Sequence, residues 1–304
     1  MTPPSLELTS PPPAARRRPR LADGLRAVIR DRATAVGAVI LTVFVLIALL
    51  APHLATHDPW ALNRGPDGAI AVLEPPSARH WLGTTNLGRD VFSQVVIGSR
   101  AAILVGFLAA FMNTLVGTNV ALLAGYYGGW FDELVMRLVD LIYAVPFVPF
   151  AIILVSLIGP SLWTVIIAIV LLFWRSPARV IRAQILSLRE RPYVRAARVA
   201  GASPLRIIYA HIAPNVLPLS ALYMTISVGW AIVTESSVSF LGLGDPQVIS
   251  WGGMLHLAFT TGAVQYAWWW VLPPGLCIVL LVVSSYLVGR SIEEFANPRL
   301  RDLV

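Results

Sequence analysis

The chain alternates long apolar runs with short polar ones, and the runs have the length of membrane crossings rather than of globular core segments. Residues 33–51 are apolar over close to the ~20 residues a helix needs to cross hydrocarbon, and Pro52 is expected to end that helix. A polar insert follows over 52–95, with Pro59, Pro75 and Pro76, and carries HWLGTTNLGRDVFSQ (80–94). A second span, about 98–124, is studded with Gly98, Gly106, Ala109, Ala110, Gly117 and Ala121. Small residues let helices approach closely where lipid supplies no hydrophobic drive between them. GYYGGWFDE (125–133) reads as a tight return, and the third span (134–158) contains Pro146 and Pro149, both expected to kink it. Gly159-Pro160 turns the chain into a fourth span over 161–174, which continues to about residue 180 so that Arg175 and Arg179 reach the interface. The fifth span covers about 215–240 and is followed by a loop over 241–258. The sixth, 267–288, opens on Trp268-Trp269-Trp270, an expected aromatic interface anchor.

Six spans predict an all-α polytopic membrane protein with both termini on one side. Composition agrees, since 57% of the 304 residues are hydrophobic and 13% charged, against about 25% charged for soluble domains. Positive charge assigns the side. The proline- and arginine-rich tail (1–32), the loop 181–214 and the C-terminal tail (291–304) are basic and fall on one face, the cytoplasmic one. In the outer segment, Arg64, Arg79, Arg89 and Arg100 are offset by Asp58, Asp67, Glu74 and Asp90. The domain plan is therefore a cytoplasmic tail (1–32), a first helix with an extracytoplasmic insert (33–96), a transmembrane core (97–290) and a cytoplasmic tail. The first apolar stretch is too long, and lacks the cleavage site, for a signal peptide. No fixed-period repeat or second half resembling the first is visible, which argues against an inverted-repeat carrier.

All 23 basic residues are arginine. Without lysine there is no phosphate-binding loop of the lysine type and no Schiff base, so ATP, if used, is hydrolysed on another chain and no cofactor is expected on this one. The net charge of +7 is explained by topology, not by nucleic-acid binding. Cys277 is the single cysteine, which excludes a disulfide framework and a cysteine metal cluster. His53 and His57 stand at i,i+4, but flanking Pro52 and Pro59 favour an interfacial loop over a metal site. No nucleophile–base, H-E-x-x-H or paired-acid pattern is present, so an enzyme is not expected.

Two acids fall within spans. Burying a charge at depth costs about 2.5–3.5 kcal/mol on insertion scales, so such a group faces protein or a watery cavity. Asp140 stands three residues from Arg137 and reads as its helical partner. Glu235 is read either as a pathway residue or as a buried structural group.

The densest charge lies between the fourth and fifth spans, where Arg175 to His211 holds eight arginines against the single acid Glu190. Three readings apply: a solvated topology loop, a site for anionic lipid heads, or a docking element. Pro192 and Pro204 can each start a helix, and Ala196, Ala197, Gly201 and Ala202 between them would allow close approach of another backbone. Docking explains most, because a plain loop needs no pair of helices.

The segment YVRAARVAGASPLRIIYAHIAPN resembles the cytoplasmic EAA loop of ABC-importer permeases. LGTTNLGRDVFSQVVIGSR (82–100), GYYGGWFDELVMRLVDLIYAVPF (125–147), SFLGLG (239–244), WGGML (251–255) and NPRLR (297–301) resemble, more narrowly, the second permease of dipeptide, oligopeptide and nickel importers. The resemblance covers about residues 26–301 and implies a type I importer permease fold in a bacterial cytoplasmic membrane. It further implies a homologous second permease, two ATPase subunits that bind the ATP, and an extracytoplasmic binding protein that delivers peptide, with nickel or glutathione as the alternative cargo. Tyr193, Arg195, Ala196, Ala197, Gly201, Ala202, Ser203 and Pro204 would then form the ATPase-coupling segment. Arg195 stands where the family has glutamate, Ala213 where leucine is common, and Arg290 where aspartate is usual. A stand-alone channel or ion-coupled carrier built on Glu235 and Asp140 is the competing class.

Overall fold

A computed structural model describes residues 31–296 apart from Asp67; most of the N-terminal tail and the NPRLR segment lie outside it. The helices are α1 (Arg32–Leu54), α2 (Val91–Tyr127), α3 (Gly129–Ala144), α4 (Phe147–Ile158), α5 (Leu162–Phe173), α6 (Arg175–Leu188), α7 (Pro192–Val199), α8 (Pro204–Phe240), α9 (Trp251–Thr260) and α10 (Trp268–Ala296). No β-strand forms among the described residues, and two isolated bridges, Arg64 to Ile70 and Thr84 to Asp90, pin the insert. Five segments (α1, α2, α5 with α6, α8 and α10) are each long and apolar enough to cross a membrane, and α3 and α4 pass the same test only when taken together as a bent pair. The all-α, six-span expectation holds with that bent pair counted as one crossing.

Local chemistry sets the helix ends. Asp31 caps α1 by accepting from the Thr34 hydroxyl at 2.6 Å and from the Thr34 and Ala33 amides. Those bonds, the Thr34 hydroxyl first, hold its carboxyl below the ordinary aspartate value. Helix α1 runs through Pro52 to Leu54 instead of stopping there, because a proline in the last turn forfeits one hydrogen bond without blocking the residues after it. Helix α2 begins at Val91, seven residues before the expected start, because Asp90 caps it through the Ser93 amide at 2.8 Å. The third span does not kink gently; α3 and α4 meet at 90°. Pro146 holds Val145 in extended backbone (φ −80°, ψ 117°), which ends α3. Pro149 kinks nothing, since it sits in the first turn of α4, where its amide would be unpaired anyway. Residues expected as a loop over 241–258 include helix α9, capped by Ser250 onto the Gly253 amide at 3.1 Å.

Helix α2 is the axis of the bundle and packs on α1, α5, α6 and α8, while α10 closes against α1 and α8. Its small residues do what their pattern suggests. At Gly117 a β-carbon would lie 2.6 Å from the Pro177 ring and from the Trp174 carbonyl oxygen, so the α2–α6 contact requires glycine. The core divides along this axis. Near the insert, Phe44, Ile232, Trp251, Trp270 and Leu281 pack together; at the other end Leu122, Ile181, Ile185, Val194, Ile207, Ile208 and Ile212 do so. The tryptophan triplet departs from the expected anchor. Trp270 is fully buried and Trp269 donates to the Thr84 carbonyl at 3.3 Å, leaving Trp268 to face outward.

Candidate coupling interface

Helix α6 carries the fourth span on to Leu188, and Pro192 then opens α7 as its first residue. Helix α7 ends in a left-handed turn: Gly201 has φ +79°, its amide donates to the Arg198 carbonyl (3.1 Å), and the Ala202 amide donates to the Ala197 carbonyl (3.0 Å). This pairing is a Schellman cap, which favours glycine at its left-handed position. Ser203 then caps the next helix by accepting from the Arg206 amide at 3.4 Å, and Pro204 is its first residue. That next helix is not a separate docking helix. It runs without a break into the fifth span, with a π-helical stretch at Ile207–Ile212. Pro214 and Pro218 lack the amides that a regular α-helix would use across this region.

The eight residues singled out in the sequence divide by face. Val194, fully buried, plugs α7 into the cluster of Ile181, Ile185, Ile207, Ile208 and Ile212, and Ala197 and Ala202 pack against the same cluster. Tyr193 bonds through its hydroxyl to Asn215 Nδ2 at 3.3 Å. Arg195, Ala196, Gly201, Ser203 and Pro204 lie exposed on the opposite side with Val199, which is 90% exposed. A β-carbon built at Gly201 meets nothing within 4 Å. The result is a short platform with one face fixed to the transmembrane core and one face open.

The basic island divides the same way. Arg182 makes a two-pronged ion pair with Asp132 of α3, Arg179 pairs with Asp140, and Arg189 donates to the Gly125 carbonyl at 3.0 Å and pairs with Glu190. Arg198 lies over the Tyr126 ring at 5.9 Å, and Arg175 over Tyr143 at 4.6 Å. Arg191, Arg195 and Arg206 are exposed with no side-chain partner among the described residues. Asp140 therefore does not pair with Arg137, which bonds Glu133 one turn away at 3.1 Å. The partner comes from α6, which the chain order alone does not place beside α3. The Asp132–Arg182 pair and the Arg189 contact escaped sequence reading for the same reason.

Glu235 is fully buried in α8 and sits among hydroxyls. It accepts from Ser239 at 2.7 Å and Ser236 at 3.4 Å. Leucine at this position would leave those hydroxyls without an acceptor, costing about 2 kcal/mol. Glu235→Leu is therefore expected to lower the thermal midpoint of the purified protein by several degrees. Glu235→Gln keeps an acceptor oxygen and is expected to stay within about 1 kcal/mol of the parent.

A separate cavity of about 370 Å³ opens between α2, α3, α5, α6 and α8, lined by Asn113, Tyr143, Phe173, Arg175, Tyr223 and Trp230 among others. Asn113 Oδ1 is buried there without a hydrogen-bond partner. Neither Asp140 nor Glu235 lines this cavity.

Known proteins place these features. Residues 102–302 match the family described as binding-protein-dependent transport system inner membrane component, and residues 20–76 match the N-terminal transmembrane domain of oligopeptide transport permease C. A putative peptide permease protein of Brucella suis biovar 1 (strain 1330) is 34% identical over 273 residues, covering 89% of this chain and 88% of its own. The dipeptide transport system permease protein DppC of Alkalihalophilus pseudofirmus is 36% identical over 280 residues, covering 92% and 90%. In fold, the MetNI methionine ABC transporter in an inward-facing conformation is similar, with a TM-score of 0.53 at 18% identity over 67% of this chain and 95% of that one. The match runs from within the central helix through the platform and the fifth span, and the chain belongs to the family of binding-protein-dependent transport system inner membrane components.

Proposed function

We propose that this chain is the membrane subunit of an ATP-driven peptide importer in a bacterial cytoplasmic membrane, forming half of the translocation pathway beside a homologous permease. Two ATPase subunits bind and hydrolyse the ATP, and an extracytoplasmic protein delivers the peptide. The observation that carries this reading is the platform of α7 and its Gly201 turn, fixed by Val194 to α6 and α8 and open at Ala196 and Gly201. A rigid element with one free face can pass on a push without absorbing it. The peptide cargo rests on the relatives named as peptide and dipeptide permeases.

The sequence of events follows from that mounting. Closure of the ATPases displaces the platform, and the displacement passes into α6 and α8, which continue from it into the bundle. Both helices line the cavity of Arg175 and Trp230, so its walls move with the platform. Arg195 is exposed on the open face, so either the polar anchor that a glutamate there would give is lost or an acid on the ATPase compensates it. An ion-coupled carrier is not favoured, because Glu235 is satisfied by serines and Asp140 is held by Arg179.

Purification of the tagged chain from its own cells tests this reading. A second permease and an ATPase are expected to come out with it, and the reconstituted complex should accumulate a labelled dipeptide only with ATP. A chain that purifies alone and transports in its absence would contradict the proposal.

A further inference from the structure

The sequence pairs His53 with His57, but the fold brings His57 to different neighbours. Three segments converge at the end of the bundle that holds the insert: the loop after α1, the insert itself, and the cap of α2. They contribute His57, His80 and Asp90, each with a ligand atom within 4.8 Å of the other two. His80 Nδ1 lies 2.9 Å from Asp90 Oδ1 and His57 Nδ1 lies 3.8 Å from the same oxygen. The rings of His57 and His80 are 4.7 Å apart, centre to centre.

The two oxygens of Asp90 have separate duties. Oδ2 is committed to capping α2, accepting from the Ser93 amide and hydroxyl at 2.8 and 2.7 Å. Oδ1 faces the two imidazoles. The carboxylate and the His80 ring are fully buried, and His80 Nε2 has no hydrogen-bond partner, so the ring's polar contact is made on the Asp90 side alone. The His57 side chain is 27% exposed, which leaves a path from solvent to the cluster. Its backbone is held by the Ser93 hydroxyl at 3.0 Å, and Thr56 Oγ1 lies 3.0 Å from its Nδ1.

We infer that His57, His80 and Asp90 form a binding site for a zinc-class divalent cation on the extracytoplasmic insert. Two nitrogens and one carboxylate oxygen are the donors that suit zinc and its late first-row neighbours, whereas magnesium and calcium prefer oxygen alone. In tetrahedral zinc with ligand bonds near 2.1 Å, neighbouring donors sit about 3.4 Å apart. The observed 2.9 and 3.8 Å bracket that spacing and all three donors lie within 4.8 Å of one another, so a shared cation requires the His80–Asp90 hydrogen bond to open by about 0.5 Å and the His57 ring to move inward. The fourth position falls to water on the exposed His57 side. Bound zinc clamps the loop after α1 and the insert onto the start of α2, the helix that anchors the bundle. This site is independent of the peptide reading, and the cation is a resident ligand rather than cargo.

Tag-free protein stripped with chelator and titrated with zinc chloride against a chromogenic chelator tests the inference. One zinc per chain is expected, unaffected by excess magnesium, with affinity at least ~10-fold weaker in His57→Ala. His57→Cys supplies another zinc donor and is expected to restore binding, which separates lost ligation from a disturbed loop. Cobalt bound in place of zinc should show the visible absorption of a tetrahedral site, lost in His57→Ala. Absence of stoichiometric zinc binding, or equal affinity in the parent and His57→Ala, would overturn it.

Discussion

Replacing residues 196–203 by a glycine–serine run of equal length is expected to cut ATP-driven uptake by roughly 100-fold, the upper range of a typical coupling free energy of about 1–3 kcal/mol. The change removes the Schellman cap and the exposed small-residue face but leaves Val194 and Tyr193, which hold the start of α7 against α6 and α8. The change also takes Ala197 and Ala202 out of the buried cluster and disturbs the Ser203 cap, so the thermal midpoint is expected to fall by a few degrees, while the chain still inserts and peptide-stimulated ATPase activity separates from transport. Uptake persisting near the parent level would show that the platform does not carry the coupling. The prediction rests on rigidity: a flexible run absorbs a displacement that the capped turn transmits.

The second large effect concerns the ion pair beneath the platform. Asp132 and Arg182 join the return after α2 to α6 through a two-pronged contact, with side chains 11% and 25% exposed. Removing one partner of a buried pair costs about 3–5 kcal/mol because the other charge is stranded; partial exposure here reduces that to about 2 kcal/mol. Asp132→Ala is expected to lower the thermal midpoint by roughly 5 °C and to weaken uptake with it. Reversing the pair, Asp132→Arg with Arg182→Asp, should recover at least half of the loss, measured by thermal unfolding in the same detergent. Failure of the double variant to improve on either single one would mean that the contact is incidental.

These two sites illustrate what a chain of this kind discloses on its face. The spans are legible because a bilayer demands long apolar runs, and the small residues of α2 announce close packing, as Gly117 against Pro177 bears out. The helix starts of the platform are legible because their signals, Pro192 and Pro204, are local; Gly201 read only as a point of close approach, and its left-handed turn and the run of the second helix into the fifth span emerge from the fold. Contacts between distant segments are not. Arg179 and Arg182 read as members of a basic run, and only the packing of α6 against α3 and α2 separates them from Arg195. The tryptophan triplet misleads for a related reason, since the insert contact of Trp269 comes from Thr84, nearly two hundred positions away, and Trp270 joins the buried core. Asp90 read as a balancing charge, although its two oxygens serve a helix cap and two histidines. The end of α3 was half visible, with Pro146 marking the break but not its angle.

The exposed face of α7 offers a direct physical test, because the chain has a single native cysteine, Cys277. In a Cys277→Ala background, Ala196→Cys puts one thiol on the open side of the platform, and Trp60→Cys puts one in the insert at the other end of the bundle. A short thiol-to-amine crosslinker applied to the assembled complex is expected to join the Ala196→Cys chain to the ATPase, to block uptake once joined, and to leave the Trp60→Cys chain unlinked to it. An Ala196→Cys chain that forms no link to the ATPase, or that links and still transports at the parent rate, would contradict the account.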